Sequence, residues 1–394
     1  MTSDYPILRL KPGKDIHLRN RHHAVFQNAV AEFPDVKNGS IVRVCAHDSS
    51  FLCYAMLNTK AYICGRAIAF EDTDPLLQLR ATIENAVAMR KAFFANEDTT
   101  GIRLLNAEGD GVPGLIVDQY DKTVVVQLTT FGMERLRDWI AEILWEICKP
   151  IAIYEKSTGP ARKKEGLDGR EGWLKGTGQT TIEITERGLK YLIALEGSQK
   201  TGLFLDQREM RSLVRDHAAG RTVLDICSYV GGFSLNALAG GAIAADAVDY
   251  DAPAIERAKE HMQINGIPAE NFGAYSEDAF FFLRRRPLPR NYDFIILDPP
   301  AFAKRSSDLD QAQKAYTDLN RLAMQILPEK GLLLTCSCSY QVDTALFQTI
   351  IFHAARQAKR SVRILQRHRQ AYDHPVNLYH PEVDYLKSLL LWIE

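Results

Sequence analysis

The sequence predicts an α/β protein: a doubly wound parallel-sheet domain in its C-terminal half, preceded by a β-rich module and a small α+β unit. Three observations predict it. A strand, turn, helix, strand unit spans residues 221–251, and strands and helices alternate from there to about residue 335. Residues 1–72 instead carry short apolar and polar runs with Gly, Asn and Asp between them. The length of 394 residues exceeds one ordinary core. The expected division is 1–72, 73–195 and 196–394.

Taken in order, the first module has strand candidates at 41–44, 52–56 and 62–68. One helical segment is expected over 16–30, with Arg19, Arg21, His22 and His23 near its start, a cluster that on its own reads as a solvated basic face. The middle unit opens with a helix over 75–96. Strand candidates follow in RLLNAEGDGVPGLIVDQY and TVVVQL, then a helix over 133–148 and a strand at 151–154. Residues 162–171, mixed in charge, are expected to form an exposed loop.

Lys plus Arg number 48 against 49 acidic residues, so nucleic acid would have to be held by local patches and not by net charge. Seven scattered cysteines do not make a disulfide framework in a chain this long, and they point to a reducing, cytoplasmic setting. No apolar run approaches the length of a membrane span, and no signal-like segment opens the chain. No membrane partner and no metal are expected.

In the 221–251 unit, Asp225 ends an apolar run, Gly231 and Gly232 open a helix, and Asp249 ends the next run 24 positions after Asp225. An acid at that distance suits the two hydroxyls of a ribose. Cys227 and Tyr229 stand where a dinucleotide fingerprint has its early glycines, so no pyrophosphate cradle is built. A nucleoside cofactor without phosphates fits, and S-adenosylmethionine is one. A structural strand-to-helix turn with a chance acid fits equally well at this point.

Ligands gather at the carboxyl ends of parallel strands, where Asp225, Asp249, Asp278, Asp298 and Cys338 all fall. Asp298 follows the run FIIL and precedes Pro299 and Pro300, which fix the backbone and remove amide donors. Cys336 and Cys338 follow LLLT. A lone Cys-x-Cys is a poor zinc site, buried inert sulfur is the reading of Cys336, and Cys338 is the candidate thiolate nucleophile. Asp373 and His374 read more naturally as structural than as part of that face.

These pieces resemble a known family. KPGKDIHLRNRHHAVF, RLLNAEGDGVPGLIVDQY, EKSTGPARKKEGL, KTGLFLDQREMR, DICSYVGGFS, DPPAF, LLLTCSCS and RQAYDHPV occur in the order seen in bacterial large-subunit ribosomal RNA cytosine methyltransferases with an N-terminal PUA domain. The resemblance covers nearly the whole chain. It implies a Rossmann-like class I methyltransferase domain, S-adenosylmethionine as cofactor, and 23S ribosomal RNA or a large-subunit assembly intermediate as partner. A homodimer is compatible with it. It further implies a cofactor site around Tyr229, Gly231 and Gly232, with Asp249 on the ribose, Asp278 near adenine, and Gln207, Arg208, Asp225, Asp298 and Pro299 beside it. Cys338 becomes the nucleophile that attacks cytosine carbon-6 and Asp298 its catalytic partner, with Pro300, Phe302, Arg19 and Arg21 toward the substrate.

Two positions depart from the family pattern. His23 and Ala24 replace Pro-Trp, which alters the expected PUA surface, and Asp225 replaces a common Asn, adding a carboxylate toward the methionine ammonium. Two rival readings stand beside the leading one: a methyltransferase acting on guanine or another base, and a non-catalytic RNA-binding assembly factor.

Overall fold

A computed structural model describes residues 5–196, 202–303 and 305–394; Lys200 and Thr201 of the KTGLFLD segment lie outside them. The chain forms two units, one of Met1–Gly188, Ile193–Leu205 and Tyr372–Val383, the other of Leu189–Leu192, Asp206–Ala371 and Asp384–Glu394.

In the first unit, alternating apolar residues build a six-stranded sheet in the order Ala24–Phe26, Ile63–Ala69, Phe51–Leu57, Ile41–Cys45, Ile7–Leu10, Val30–Glu32. Its inward positions, among them Leu8, Val42, Val44, Ala55 and Ala67, close one core. The helix expected over 16–30 is only Ile16–Arg19. Arg21 adopts φ 59°, a left-handed turn that no helix continues through, and Ala24–Phe26 pairs with Ile63–Ala69 instead. The β-branched and aromatic residues of Ala24–Phe26 gain a sheet neighbour there, which outweighs weak helical periodicity.

The helix Pro75–Phe93 starts on an Asp74 cap with proline at its first turn, and it buries Leu79, Ile83 and Val87. They share a core with the five-stranded sheet Arg170–Gly176, Ala152–Ser157, Thr123–Leu128, Leu115–Tyr120, Gly101–Asn106. The helix expected over 133–148 breaks at Leu136 into Phe131–Arg135 and Arg137–Cys148. Residues 162–171 are exposed over most of their length as expected, but they are not all loop: Pro160–Lys164 is helical, and Arg162 and Glu165 are buried. Arg162 pairs with Glu134 at 2.7 Å and donates to the Leu128 carbonyl at 2.8 Å, while buried Glu165 accepts from Asn58 at 2.8 Å and Arg66 at 3.0 Å. Those two charges find their counterparts inside the fold, while Lys163, Lys164, Asp168, Arg170 and Glu171 stay exposed.

Arg90, 1% exposed, makes a bidentate pair with Asp110 at 2.6 and 2.7 Å and donates to the Asp373 carbonyl at 2.8 Å. The Asp373 carboxylate accepts from the Arg103 amide at 3.0 Å and lies 2.8 Å from His374 Nδ1. Asp373 and His374 are therefore structural members of the first unit.

The second unit contains strands β1 (Thr222–Ile226), β2 (Ala244–Asp249), β3 (Phe272–Ser276), β4 (Phe294–Leu297), β5 (Leu332–Ser337), β6 (Val362–His368) and β7 (Lys387–Ile393). Its helices are α1 (Arg208–His217), α2 (Gly232–Ala239), α3 (Ala252–Ile264), α4 (Ala279–Arg284), α5 (Leu309–Ile326) and α6 (Thr344–Ala358). The sheet order is β3-β2-β1-β4-β5-β7-β6. Strands β1 to β5 are parallel as expected, but β7 runs antiparallel to both β5 and β6. Leu389 to Leu391 of β7 are buried, so this strand covers an edge of β5 that a purely parallel sheet would leave open. Strand order reverses between β1 and β4, which opens a crevice at their carboxyl ends.

Candidate active site

Beyond β1 the backbone is left-handed at three alternate residues, Cys227 (φ 61°), Tyr229 (φ 49°) and Gly231 (φ 70°). Two of these are not glycine, a conformation held only where the surroundings over-determine it. At Gly231 a side chain is excluded, since a Cβ would lie 2.8 Å from that of Ala258 in α3. At Gly232, the first residue of α2, a Cβ would meet the Arg211 side chain at 3.1 Å.

Asp249 braces this turn from the end of β2. One carboxylate oxygen accepts from the Tyr229 amide at 2.8 Å and the other from the Asp251 amide at 3.0 Å. Asp225 is fully buried, and its Oδ2 accepts from the Ser234 amide at 3.0 Å and hydroxyl at 2.9 Å. Its Oδ1 has no partner among the described residues. Burial raises the Asp225 carboxyl to about 7, and Asp249 adds to the rise. Asp278 is exposed and caps α4 by accepting from the Phe281 amide at 2.9 Å.

Burial pushes the Cys227 thiol far above its ordinary range, and Asp249, Asp298, Asp225 and Asp278 all push it the same way. Four carboxylates thus converge on one turn. Such a rim repels phosphate and suits a ligand with a positive centre and hydroxyl groups.

Gln207 and Arg208 are buried where the chain enters α1. The Gln207 side chain lies beside the Cys336 thiol, and its Oε1 has no partner among the described residues.

Parallel pairing of β1, β4 and β5 sets the second cluster, and the Asp298 amide donates to the Ile226 carbonyl at 3.2 Å. Asp298 is half-buried, Pro299 buried and Pro300 exposed. Phe302 packs on Tyr316 of α5 with ring centroids 4.7 Å apart. The Tyr316 hydroxyl bonds Ser339 at 2.9 Å and Ser337 at 3.1 Å, and the Ala303 amide donates to the Ser339 hydroxyl at 3.3 Å. Both serines are fully buried, whereas Cys338 between them is half-buried, its Sγ 3.8 Å from the Pro299 carbonyl. Cys336 is fully buried and its thiol is pushed well above the ordinary range by that burial.

The expected residues of the second unit therefore gather at one sheet edge. Arg19 and Arg21 belong to the first unit, where half-exposed side chains pair with Asp15 and Glu71. Two neighbours of Cys338 escaped sequence reasoning: Tyr316, an aromatic in an amphipathic helix, and Lys387. The available signal for Lys387 was a lone charge at the head of the apolar run SLLLWI.

Residues 162–390 match the S-adenosylmethionine-dependent methyltransferase family, and residues 8–70 match a PUA-like domain. A Shewanella denitrificans protein named ribosomal RNA large subunit methyltransferase I is 37% identical over 389 residues, covering 97% of this chain and 98% of its own. A Photobacterium profundum protein of the same name is 37% identical over 392 residues, with 98% of each chain covered. A crystal structure described as a methyltransferase complexed with SAH superposes with a TM-score of 0.84 at 25% identity, covering 98% of this chain and 99% of that one. The carboxylate rim, the unpartnered Asp225 oxygen and the uncradled turn fit S-adenosylmethionine, a sulfonium with a ribose and no phosphate. With the fold, the turn and these relatives in agreement, the chain belongs to the S-adenosylmethionine-dependent methyltransferase family, among the ribosomal RNA large subunit methyltransferase I proteins.

Proposed function

We propose that this enzyme methylates carbon-5 of a cytosine in 23S ribosomal RNA, free or within a large-subunit assembly intermediate, through a transient bond from Cys338 to carbon-6. The observation that carries the reading is that Cys338 is only partly buried between two fully buried serines, beside the Asp298-Pro299 strand end. In this reading residues 1–72 dock RNA in the cytoplasm, with Arg19 and Arg21 toward its backbone. Residues 73–195 connect, and residues 196–394 carry the chemistry.

S-adenosylmethionine supplies an electrophilic methyl group. Asp249 would accept from its ribose, Asp278 would lie toward adenine, Asp225 would face the ammonium, and Gln207, Arg208, Tyr229, Gly231 and Gly232 would line the same pocket. Carbon-5 of cytosine is a weak nucleophile. The Cys338 thiolate therefore gives an electron pair to carbon-6, the ring double bond shifts, and carbon-5 becomes enamine-like. Asp298 takes up a proton when the base binds and donates it to the ring nitrogen on which charge develops, a contribution worth about 3 kcal/mol in comparable sites. Once carbon-5 is substituted, its proton leaves and the returning electrons expel the sulfur as thiolate. Pro299, Pro300 and Phe302 offer apolar surface to a base that has left its stack.

RNA containing 5-fluorocytosine tests the reading, because fluorine replaces the proton that must leave and traps the adduct. Wild type and Cys336→Ala should form a covalent complex that denaturing gels retain, and Cys338→Ala should not. An active wild type that traps nothing would move the target to guanine or another base. Absence of S-adenosylmethionine binding in calorimetry would instead support a non-catalytic assembly factor.

A further inference from the structure

Lys387 opens β7 opposite Ser337 of β5. It is 7% exposed, and its Nζ donates to the carbonyls of Ser339 and Tyr385, each at 2.7 Å. Both acceptors are neutral, and among the described residues no carboxylate comes within ion-pair distance of this ammonium. A buried cation without a counter-charge is costly, and carbonyl dipoles offset only part of that cost. Of the charges that act on Lys387, the Cys338 sulfur comes first, ahead of Asp384 and Asp343.

Among the described residues, the other groups named around the sulfur do not favour its ionisation. Asp298, at the end of β4, brings negative charge to this edge. Burial pushes Tyr316 in α5 to about 12, so it stays neutral, and Cys336 in β5 stays a thiol. Asp343 caps α6, and Asp384 precedes β7. Burial lowers Lys387 itself to about 8, which leaves it mostly protonated at neutral pH.

We propose that the Lys387 ammonium sets the ionisation of Cys338, holding its sulfur as the thiolate that the adduct chemistry needs. The inference rests on the cysteine-adduct reading for its purpose, though not for its measurement. Lys387 is a positioning residue: it touches no substrate and acts through the sulfur. In the free enzyme the thiol proton leaves to solvent, and the thiolate and ammonium neutralise each other. When the sulfur bonds carbon-6, its charge passes to the ring, and expulsion of the sulfur restores the pair.

The test is the rate of iodoacetamide alkylation of Cys338 across pH, followed by peptide mass mapping on the full-length protein without RNA. In wild type the midpoint should lie below the ordinary thiol value of about 8.5. Lys387→Met should raise it by at least about one pH unit, slowing alkylation at pH 7 about tenfold, and Lys387→Arg should restore most of the difference. A wild-type midpoint at or above about 8.5 overturns the proposal even if the methionine variant does not fold. Equal midpoints in wild type and a folded Lys387→Met also overturn it. The 5-fluorocytosine trap separates the two ideas: Lys387→Met should recover trapping at pH 9, where the thiol ionises unaided. A wild type that alkylates at low pH but never traps would end the adduct reading and leave the lysine pairing in place.

Discussion

The hydroxyl of Tyr316 lies 2.9 Å from that of Ser339, joining the middle of a helix to the turn beyond the last parallel strand. With Ser337 at 3.1 Å from the same hydroxyl, it pins both flanks of Cys338 while that cysteine stays only partly buried. Tyr316→Phe keeps the ring against Phe302 but removes the hydroxyl partner that two buried serines share. It should cost about 1–3 kcal/mol in denaturant unfolding and slow 5-fluorocytosine trapping more than it weakens S-adenosylmethionine binding.

Asp249 both braces the turn after β1 and faces the cofactor pocket. Asp249→Ala should weaken S-adenosylmethionine binding by at least about tenfold in calorimetry, equivalent to about 1.4 kcal/mol. RNA affinity in a filter or gel assay should barely change. Unaltered cofactor affinity would remove Asp249 from the site.

Asp225 gives a pH signature. Its folded-state ionisation is raised to about 7 from an ordinary 3.8, so the native protein holds the proton more tightly than the unfolded chain does. The associated stability is fully present below about pH 4 and is lost as pH climbs through about 7. Asp225→Asn can still accept from Ser234 and carries no charge to bury. The variant should gain on wild type as pH rises, by about 1–3 kcal/mol at pH 8, with little difference near pH 4. A gap independent of pH would contradict the raised ionisation.

Arg90 holds Asp110 inside the first unit, with side-chain exposures of 1% and 5%. Arg90→Met leaves a buried carboxylate without its partner and should cost about 3–5 kcal/mol. The loss should appear as lowered thermal stability and increased proteolysis within residues 75–120. A change below about 1 kcal/mol would mean that water reaches Asp110.

Much of the catalytic half was legible because its signals are local. Apolar runs ending in Asp225, Asp249 and Asp298 announce buried parallel strands, and Gly231 and Gly232 announce the turn into a helix; that Ala258 presses on Gly231 is seen only in the fold. Cys336 and Cys338 were separable by position along one strand. The errors share a cause as well. Residues 16–30 look helical only until Ala24–Phe26 finds a strand partner some 40 residues away. Residues 162–171 are mostly exposed as they look, except where Arg162 and Glu165 turn inward to meet Glu134, Asn58 and Arg66.

By itself the sequence determined the alternation of elements, the acids at the strand ends and the cysteine that follows the fifth parallel strand of the second unit, since strand period and turn chemistry are written in neighbouring residues. Tertiary structure decided which sulfur is exposed, that β7 enters antiparallel, and that Lys387 is drawn against the Cys338 turn. Pairing energies and electrostatic fields depend on distances in space, and residues 338 and 387 become neighbours only when the sheet closes.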